Sequence, residues 1–476
     1  MCEDKQRARR TEQFPHLEDV YDQDLREEAL AFAEEFKAFL DLAKTERDAV
    51  EVSIEAAQEL GFRPLTDCER LQPGDKVYHN IKNKGLVLAV LGERPVEEGF
   101  RILGAHIDSP RLDLKPNSIS EEQELVYFRT HYYGGIKKYQ WTAIPLALHG
   151  VVINGEGERI RLSLGEAEDE PKFLVTDLLP HLGAEQMSKK ASEIIPGEAL
   201  SLLAGCSPEL ADGGLAEGAS RFREGLLSRL EADYGIRERD LYSAELSAVP
   251  ATKAFDLGLD RRVVASYGLD DKICAYPALQ AVLAQERPKY TAVCLLSDKE
   301  EVGSAGNSGA QSRCYENVLA EILYRSNPEQ YSELRLRRCL EATVMLSADV
   351  TNAYDPNFAS VSDKTNSHYM GHGISLCKYT GARGKSGASD ASAELMSAIC
   401  RLLDSHGICW QTGEMGKVDA GGGGTIAKYF AGTGMEVLDC GVPVLSMHAP
   451  IEQGHKFDIY ETYRAYRCFL EQFEAL

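Results

Sequence analysis

Five short apolar runs constrain this chain more than any other feature: GLVLAVLGE (85–93), FRILGAHID (100–108), TAVCLLSD (291–298), ATVMLSADV (342–350) and VPVLSMHAP (442–450). Each is long enough for a strand and too short for a helix, and each is apolar almost throughout, as a strand covered on both faces must be. Helix-like segments such as KICAYPALQAVLAQE (272–286) and ASAELMSAICRLLDSHG (391–407) lie between the later runs. Strands alternating with helices predict an α/β fold, a sheet sandwiched by helices. Helices also lead the chain, because the stretch from Leu25 to about Gly61 spaces its apolar residues at helical intervals.

The middle breaks this pattern. It holds shorter β-like pieces (ELVYFRTHYYGG, TAIPLALHGVVING, ERIRLSLGE) and then a polar, Gly-rich, acidic section, LADGGLAEGASRFREGLLSRLEADYG. A change of texture of this kind predicts an inserted β-rich domain at 110–250. The α/β domain is then discontinuous, formed by 1–109 and 251–476.

Charge and cysteine usage exclude whole classes. Lys+Arg of 52 against Asp+Glu of 75 gives a net charge of −23, with no basic run to neutralise a phosphate backbone, so nucleic acid is not expected as a partner. The leading MCEDKQRARRTEQFPHLEDV has no apolar core for a signal peptide, and no later run is long enough to span a bilayer. The 12 cysteines are scattered with no C-x-x-C pair, the usage of buried thiols in a reducing compartment. The expectation is a cytoplasmic protein that binds no membrane.

The chemistry sits in five segments: GAHIDSP around His106 and Asp108, GLDDK around Asp270, SDKEEVGS around Glu300 and Glu301, SADV around Asp349, and SMHAP around His448. All but GLDDK close an apolar strand-like run, where an open α/β sheet places its ligands. Taken singly each is weak: a histidine beside a strand is more often a packing residue, paired glutamates are usually a solvated face, and an aspartate commonly caps a turn. Jointly, His, Asp, Glu, Asp and His form a nitrogen and oxygen ligand set for two divalent ions that share one carboxylate. Two such ions polarise a carbonyl and bring the pKa of water to near neutral, which is hydrolytic chemistry. A carboxylate beside a liganding one then serves as base, and adjacent Glu300 and Glu301 can supply both roles, since consecutive side chains point in different directions.

In order, spacing and wording, from about residue 15 to the C-terminus, these segments resemble the aspartyl aminopeptidase and vacuolar aminopeptidase I family of co-catalytic zinc exopeptidases. The resemblance implies a metallo-aminopeptidase that releases single N-terminal residues from peptides, with two zinc ions per chain and manganese or cobalt as alternatives. It implies Asp270 as the bridging ligand, His106 and Asp349 completing one site, Glu301 and His448 the other, and Glu300 as general base. Asp108 becomes the acid that fixes the His106 tautomer. The family's inserted domain mediates dimerisation, and the dimers build a hollow homo-dodecamer. In that assembly a histidine of the insert, matched here by His181 in DLLPHLG, reaches a neighbouring active site. Lys378 matches a substrate-binding lysine. The sequence after it, CKYTGARGKSGASDASAE, departs from the family's Asn-Gln-Arg-Tyr-type segment, so a preference for N-terminal Asp or Glu does not follow.

GKS at 384–386 would need a glycine at the position of Tyr379 to make a phosphate-binding loop, so nucleotide binding fails. The GGGGT run (421–425) fits a close backbone approach or a helix start better. A non-catalytic scaffold of the same fold should have lost ligands, and none is lost here. A dinuclear amidase or deacylase on non-peptide amides differs only in substrate.

Overall fold

The computed structural model describes residues 14–474. Most of the leading segment discussed above, residues 1–13, lies outside them. The described chain divides into two compact units: one runs to Asp108 and resumes over Ala254–Met447 and from Ile451; the other is Ser109–Lys253 with His448–Pro450.

The first unit is built on a nine-stranded mixed sheet. Four strands at its centre, Ala292–Ser297, Arg101–His106, Val344–Ser347 and Glu436–Gly441, run parallel. Gly85–Val90 flanks them antiparallel on one side, with Lys76–Ile81 antiparallel to it in turn, and Ile374–Cys377 flanks them antiparallel on the other side. The apolar runs form these strands because both faces are covered. Leu86, Leu88, Leu103, Ala105, Leu296 and Leu346 join a core with Phe36, Val50, Ile273, Leu395 and Phe469. The alternate residues Val87, Ile102, Val293, Leu295 and Met345 pack with Leu319, Ile322, Leu336 and Phe430 on the opposite face. Each such side chain contributes about 1.5–3 kcal/mol by leaving water, so sheet and helices stand together.

The leading helical stretch forms two helices, Gln23–Leu42 and Glu46–Glu59, the second started by a capping box between Thr45 and Asp48. One expectation is corrected. The run 442–450 is not a main-sheet strand. Its place is taken by Glu436–Gly441 just upstream, while Pro443–Leu445 pairs with Thr351–Asn352 and Glu452–His455 in a separate five-stranded sheet. Proline at 443 lacks the N–H that a central strand must donate.

The second unit is a seven-stranded antiparallel sheet, ordered Arg159–Leu164, Leu146–Ile153, Glu245–Pro250, Arg111–Glu122, Leu125–Tyr133, Leu202–Gly205 and Leu174–Val175. The Gly-rich acidic section contains a helix, Arg221–Tyr234, ended by Gly235 in the left-handed conformation.

Candidate metal centre

The register of the parallel strands places the site. His106 ends its strand opposite Ser297, and Ser347 lies opposite Gly104. The segments that follow Ser297 and Ser347 therefore emerge at one sheet edge beside His106, bringing Asp298–Glu301 and Asp349 with them.

His106 is fully buried and its two ring nitrogens are distinguished by their partners. Nδ1 lies 3.0 Å from the carbonyl oxygen of Asp108, which can only accept, so Nδ1 carries the proton. Nε2 faces Oδ1 of Asp270 at 3.0 Å, donating to it while the ring is doubly protonated and able to offer its lone pair to an ion once that proton is lost. Asp270 reaches that position at the start of the helix Leu269–Leu283, after Gly268 turns the chain through φ +71°, and its dihedrals are not yet helical. Asp349 completes the group: His106, Asp270 and Asp349 each offer a ligand atom, all within 4.8 Å of one another. Close packing behind Asp349 requires glycine at 441, where a Cβ would come within 2.2 Å of the Asp349 carbonyl oxygen.

The Asp108 side chain reaches the glutamate turn. Its carboxylate oxygens accept the backbone N–H groups of Glu300 (3.1 Å) and Glu301 (3.2 Å), while Oδ1 stands 3.4 Å from His106 Nδ1. The tautomer is set at shorter range by the Asp108 carbonyl. Glu300 and Glu301 lie on a short 3-10 turn, Glu300–Val302, entered through Lys299 at φ +68°. A non-glycine residue in that region costs energy and is concentrated at functional turns.

The electrostatics of the group ask for a cation. Burial works against charge on His106, yet hydrogen bonds to Asp108 and Asp270 and the charge of Asp271 hold its pKa well above the ordinary value. Burial first, then the neighbouring Asp271, pushes the Asp349 carboxyl well above the carboxylate range. Burial also raises Asp271. Carboxylates crowded around an imidazole nitrogen in a buried edge suit a divalent ion, which would relieve their mutual repulsion, and a nitrogen and oxygen donor set without thiolate suits zinc, manganese or cobalt.

The remaining sequence-predicted residues are placed as follows. His448 belongs to the second unit, where Nδ1 lies 2.9 Å from the Gly135 carbonyl oxygen; that nitrogen is the donor, leaving the lone pair on Nε2. Like Lys299 it has a left-handed backbone, φ +64°. His181 lies on an exposed turn, Pro180–Leu182, of the second unit. Lys378 follows the strand Ile374–Cys377, which runs antiparallel to Glu436–Gly441 with Cys377 opposite Asp439 and so leads away from the level of His106. Its Nζ pairs with Asp390 at 2.9 Å. Two residues absent from the sequence reading also serve the site: Asp271 Oδ2 accepts the His106 N–H at 3.3 Å, and buried Glu452 accepts the Asp270 N–H at 3.0 Å. Asp271 stood in view inside GLDDK; Glu452 carries no sequence signal.

Residues 39–470 match the family model for the aminopeptidase I zinc metalloproteases, M18. The chain belongs to this M18 aminopeptidase family. It is 47% identical to a probable M18 family aminopeptidase 1 of Clostridium acetobutylicum, over 96% of this chain and 98% of that protein. It is 42% identical to one from Thermotoga maritima, over 94% and 97%. The crystal structure of a Thermotoga maritima M18 aminopeptidase superposes with a TM-score of 0.92 at 40% identity, covering 97% of this chain and 99% of that one. A structure of the Saccharomyces cerevisiae mApe1 dodecamer shares the fold at 20% identity with a TM-score of 0.73, covering 92% and 95%. This M18 protein is a metallo-aminopeptidase of a zinc family, a hydrolase with the α/β fold of its crystallised relatives. The scaffold and amidase readings are not favoured. Among the described residues no helix is long and apolar enough to cross a membrane.

Proposed function

We propose that this M18 aminopeptidase binds two divalent ions, with Asp270 bridging, His106 and Asp349 on one ion, and Glu301 and His448 on the other. The observation that carries the reading is the His106, Asp270 and Asp349 group at the sheet edge, beside a glutamate turn held by Asp108. Two ions bound there would polarise the scissile carbonyl and bring the pKa of a water to near neutral. Glu300 takes the proton of the attacking water and delivers it to the leaving amine. Asp108 keeps Glu300 and Glu301 in register by gripping both backbone N–H groups. The Asp108 and Gly135 carbonyls hold His106 and His448 in the tautomer that turns Nε2 outward to a ligand role.

His181 acts in trans as the donor to the oxyanion. Its own unit leaves it exposed on a turn flanked by Leu178, Leu179, Leu182 and Met187, all of them exposed apolar side chains suited to cover by a second copy. The assembly is a homo-oligomer built from dimers toward a dodecamer, and the yeast fold relative is seen as a dodecamer. Lys378 makes a substrate contact once its exposed pair with Asp390 opens, so Lys378→Ala raises KM. The site of action is the cytoplasm, in keeping with the 11 described cysteines, all free thiols.

Metal-stripped enzyme reloaded with zinc, manganese or cobalt and run on a panel of aminoacyl chromogenic substrates tests the reading. Activity should return with metal, require a free α-amine and release single residues. Cleavage of acetylated substrates at comparable rates contradicts it.

A further inference from the structure

The GGGGT run (421–425) is a sequence motif to which the proposed site gives no task. Three contacts place it beside the metal-bearing sheet edge. Thr425 Oγ1 donates to Asp439 at 2.6 Å, and Asp439 lies opposite Ser347, two residues before Asp349. Ile426 packs over Gly104, two residues before His106, where a Cβ would meet its Cδ1 at 3.6 Å. The Tyr429 hydroxyl donates to the Gly303 carbonyl oxygen at 3.1 Å, two residues past Glu301. The short helix Ala427–Ala431 is thereby fixed against the segments of His106, Asp349 and Glu301, and Lys428 stands on it between Ile426 and Tyr429.

The surroundings of the Lys428 ammonium are built largely from glycine backbone. A Cβ on Gly424 would come within 3.1 Å of Nζ and 2.8 Å of the Gly387 carbonyl oxygen, and one on Gly387 would lie 3.9 Å from Nζ. Glycine at 424 therefore keeps open the space beside the ammonium. The lysines on the neighbouring segment are neutralised in place, since Lys378 and Lys385 both pair with Asp390, at 2.9 and 3.0 Å. Lys428 is half-buried, and no carboxylate of the described residues pairs with it. Its charged neighbour is a ring face instead, that of Tyr429 at 4.8 Å. A strongly hydrated ammonium ordinarily keeps its head in water or meets a carboxylate. Here water is partly excluded and the carboxylate is missing, in a chain whose acids outnumber its bases by 23. An anion entering this space gains a charge-assisted hydrogen bond at the flank of the metal centre.

We propose that Lys428 sets substrate specificity by receiving a carboxylate of the peptide, a role that rests on the metallo-aminopeptidase reading above. Two substrate groups share that chemistry and lie within one residue of the scissile bond: the side chain of an N-terminal Asp or Glu, and the free C-terminus of a dipeptide.

The test uses zinc-loaded full-length enzyme and two matched substrate pairs: α-glutamyl against glutaminyl p-nitroanilide, and alanyl-alanine against its C-terminal amide. Wild type should favour the anionic member of at least one pair, against the long-range repulsion of its own net charge. Lys428→Met keeps the stem and removes the charge. It should lower that kcat/KM ratio about 10-fold, mainly through KM; this is the low end for a hydrogen bond to a charged group, because the ammonium is half exposed. Lys428→Arg should retain the preference and Lys428→Glu should reverse it. A response in the glutamyl pair assigns Lys428 to the first side chain, and a response in the dipeptide pair assigns it to the free C-terminus; either supports the proposal. A ratio that Lys428→Met leaves unchanged, even with both members slowed alike, means a structural role and overturns it. So does a wild type with no anionic preference in either pair. If wild type cleaves none of the four substrates with zinc bound, the metallo-aminopeptidase reading fails and Lys428 with it; if the neutral members are cleaved and the ratios do not respond, only the role of Lys428 fails.

Discussion

Asp108→Asn probes the link between the imidazole and the glutamate turn. In the wild type, three donors converge on this carboxylate: the Glu300 N–H and the His106 Nδ1 side at Oδ1 (3.1 and 3.4 Å), and the Glu301 N–H at Oδ2 (3.2 Å). Asparagine has one oxygen. It settles where two donors meet, at the Oδ1 position, and turns its NH2 toward the Glu301 N–H. One partly buried donor then loses its acceptor, at about 1–3 kcal/mol. If that loss is felt wholly in the transition state, kcat/KM falls about 5- to 150-fold, at 1.36 kcal/mol per tenfold. The fall should be larger at limiting zinc than at saturating zinc, because Glu301 is the residue displaced. The assay is steady-state hydrolysis of the best chromogenic substrate across a zinc titration. Wild-type kcat/KM at every zinc concentration would refute the reasoning.

Other outcomes follow from the same geometry. Glu300→Gln should keep its metal and lose about 10²-fold or more in kcat, since general-base catalysis contributes 10²–10⁴, whereas Glu301→Gln should lose metal affinity; reversed phenotypes in metal analysis and kinetics would exchange the two assignments. His181→Phe should keep metal and oligomer and lose most activity, about 10²- to 10³-fold for a removed oxyanion donor. Mixing it with Glu300→Gln under subunit exchange should restore some activity, and a dead mixture with exchange confirmed by mass would rule out action in trans. Asp458, buried at the start of the last helix, accepts the N–H groups of Gly371 and Gly373 at 2.7 and 2.8 Å, yet burial pushes its carboxyl up to about 8. Because the folded value lies above the unfolded one of about 3.9, its stabilising contribution is full at low pH and declines as pH rises toward 8. The Tm advantage of wild type over Asp458→Asn should therefore shrink between pH 5 and pH 8, and an advantage that grows would contradict the assignment.

What the sequence discloses follows from what holds each element. The strands at 85–90, 101–106, 292–297 and 344–347 are readable because burial on both faces makes them continuously apolar. Glu436–Gly441 escapes notice because Asp439 interrupts its apolar run; that carboxyl is satisfied by Thr425 Oγ1 at 2.6 Å, a partner only the fold supplies. His106, Asp270 and Asp349 are legible because ligand chemistry restricts residue types. Glu452 and the second role of Asp108 act by accepting backbone N–H groups, which any sequence provides, so nothing in the chain marks them. The ion pair of Lys378 with Asp390 is likewise set by the loop between them.

The central claim, two ions sharing Asp270, is tested most directly by counting metal. Zinc-reloaded wild-type protein, freed of unbound ion and measured by elemental mass spectrometry, should hold two ions per chain. Asp270→Ala should hold neither, because the shared carboxylate offsets the repulsion between two dications. One ion per chain in the wild type, or full metal content with activity in Asp270→Ala, would contradict the account.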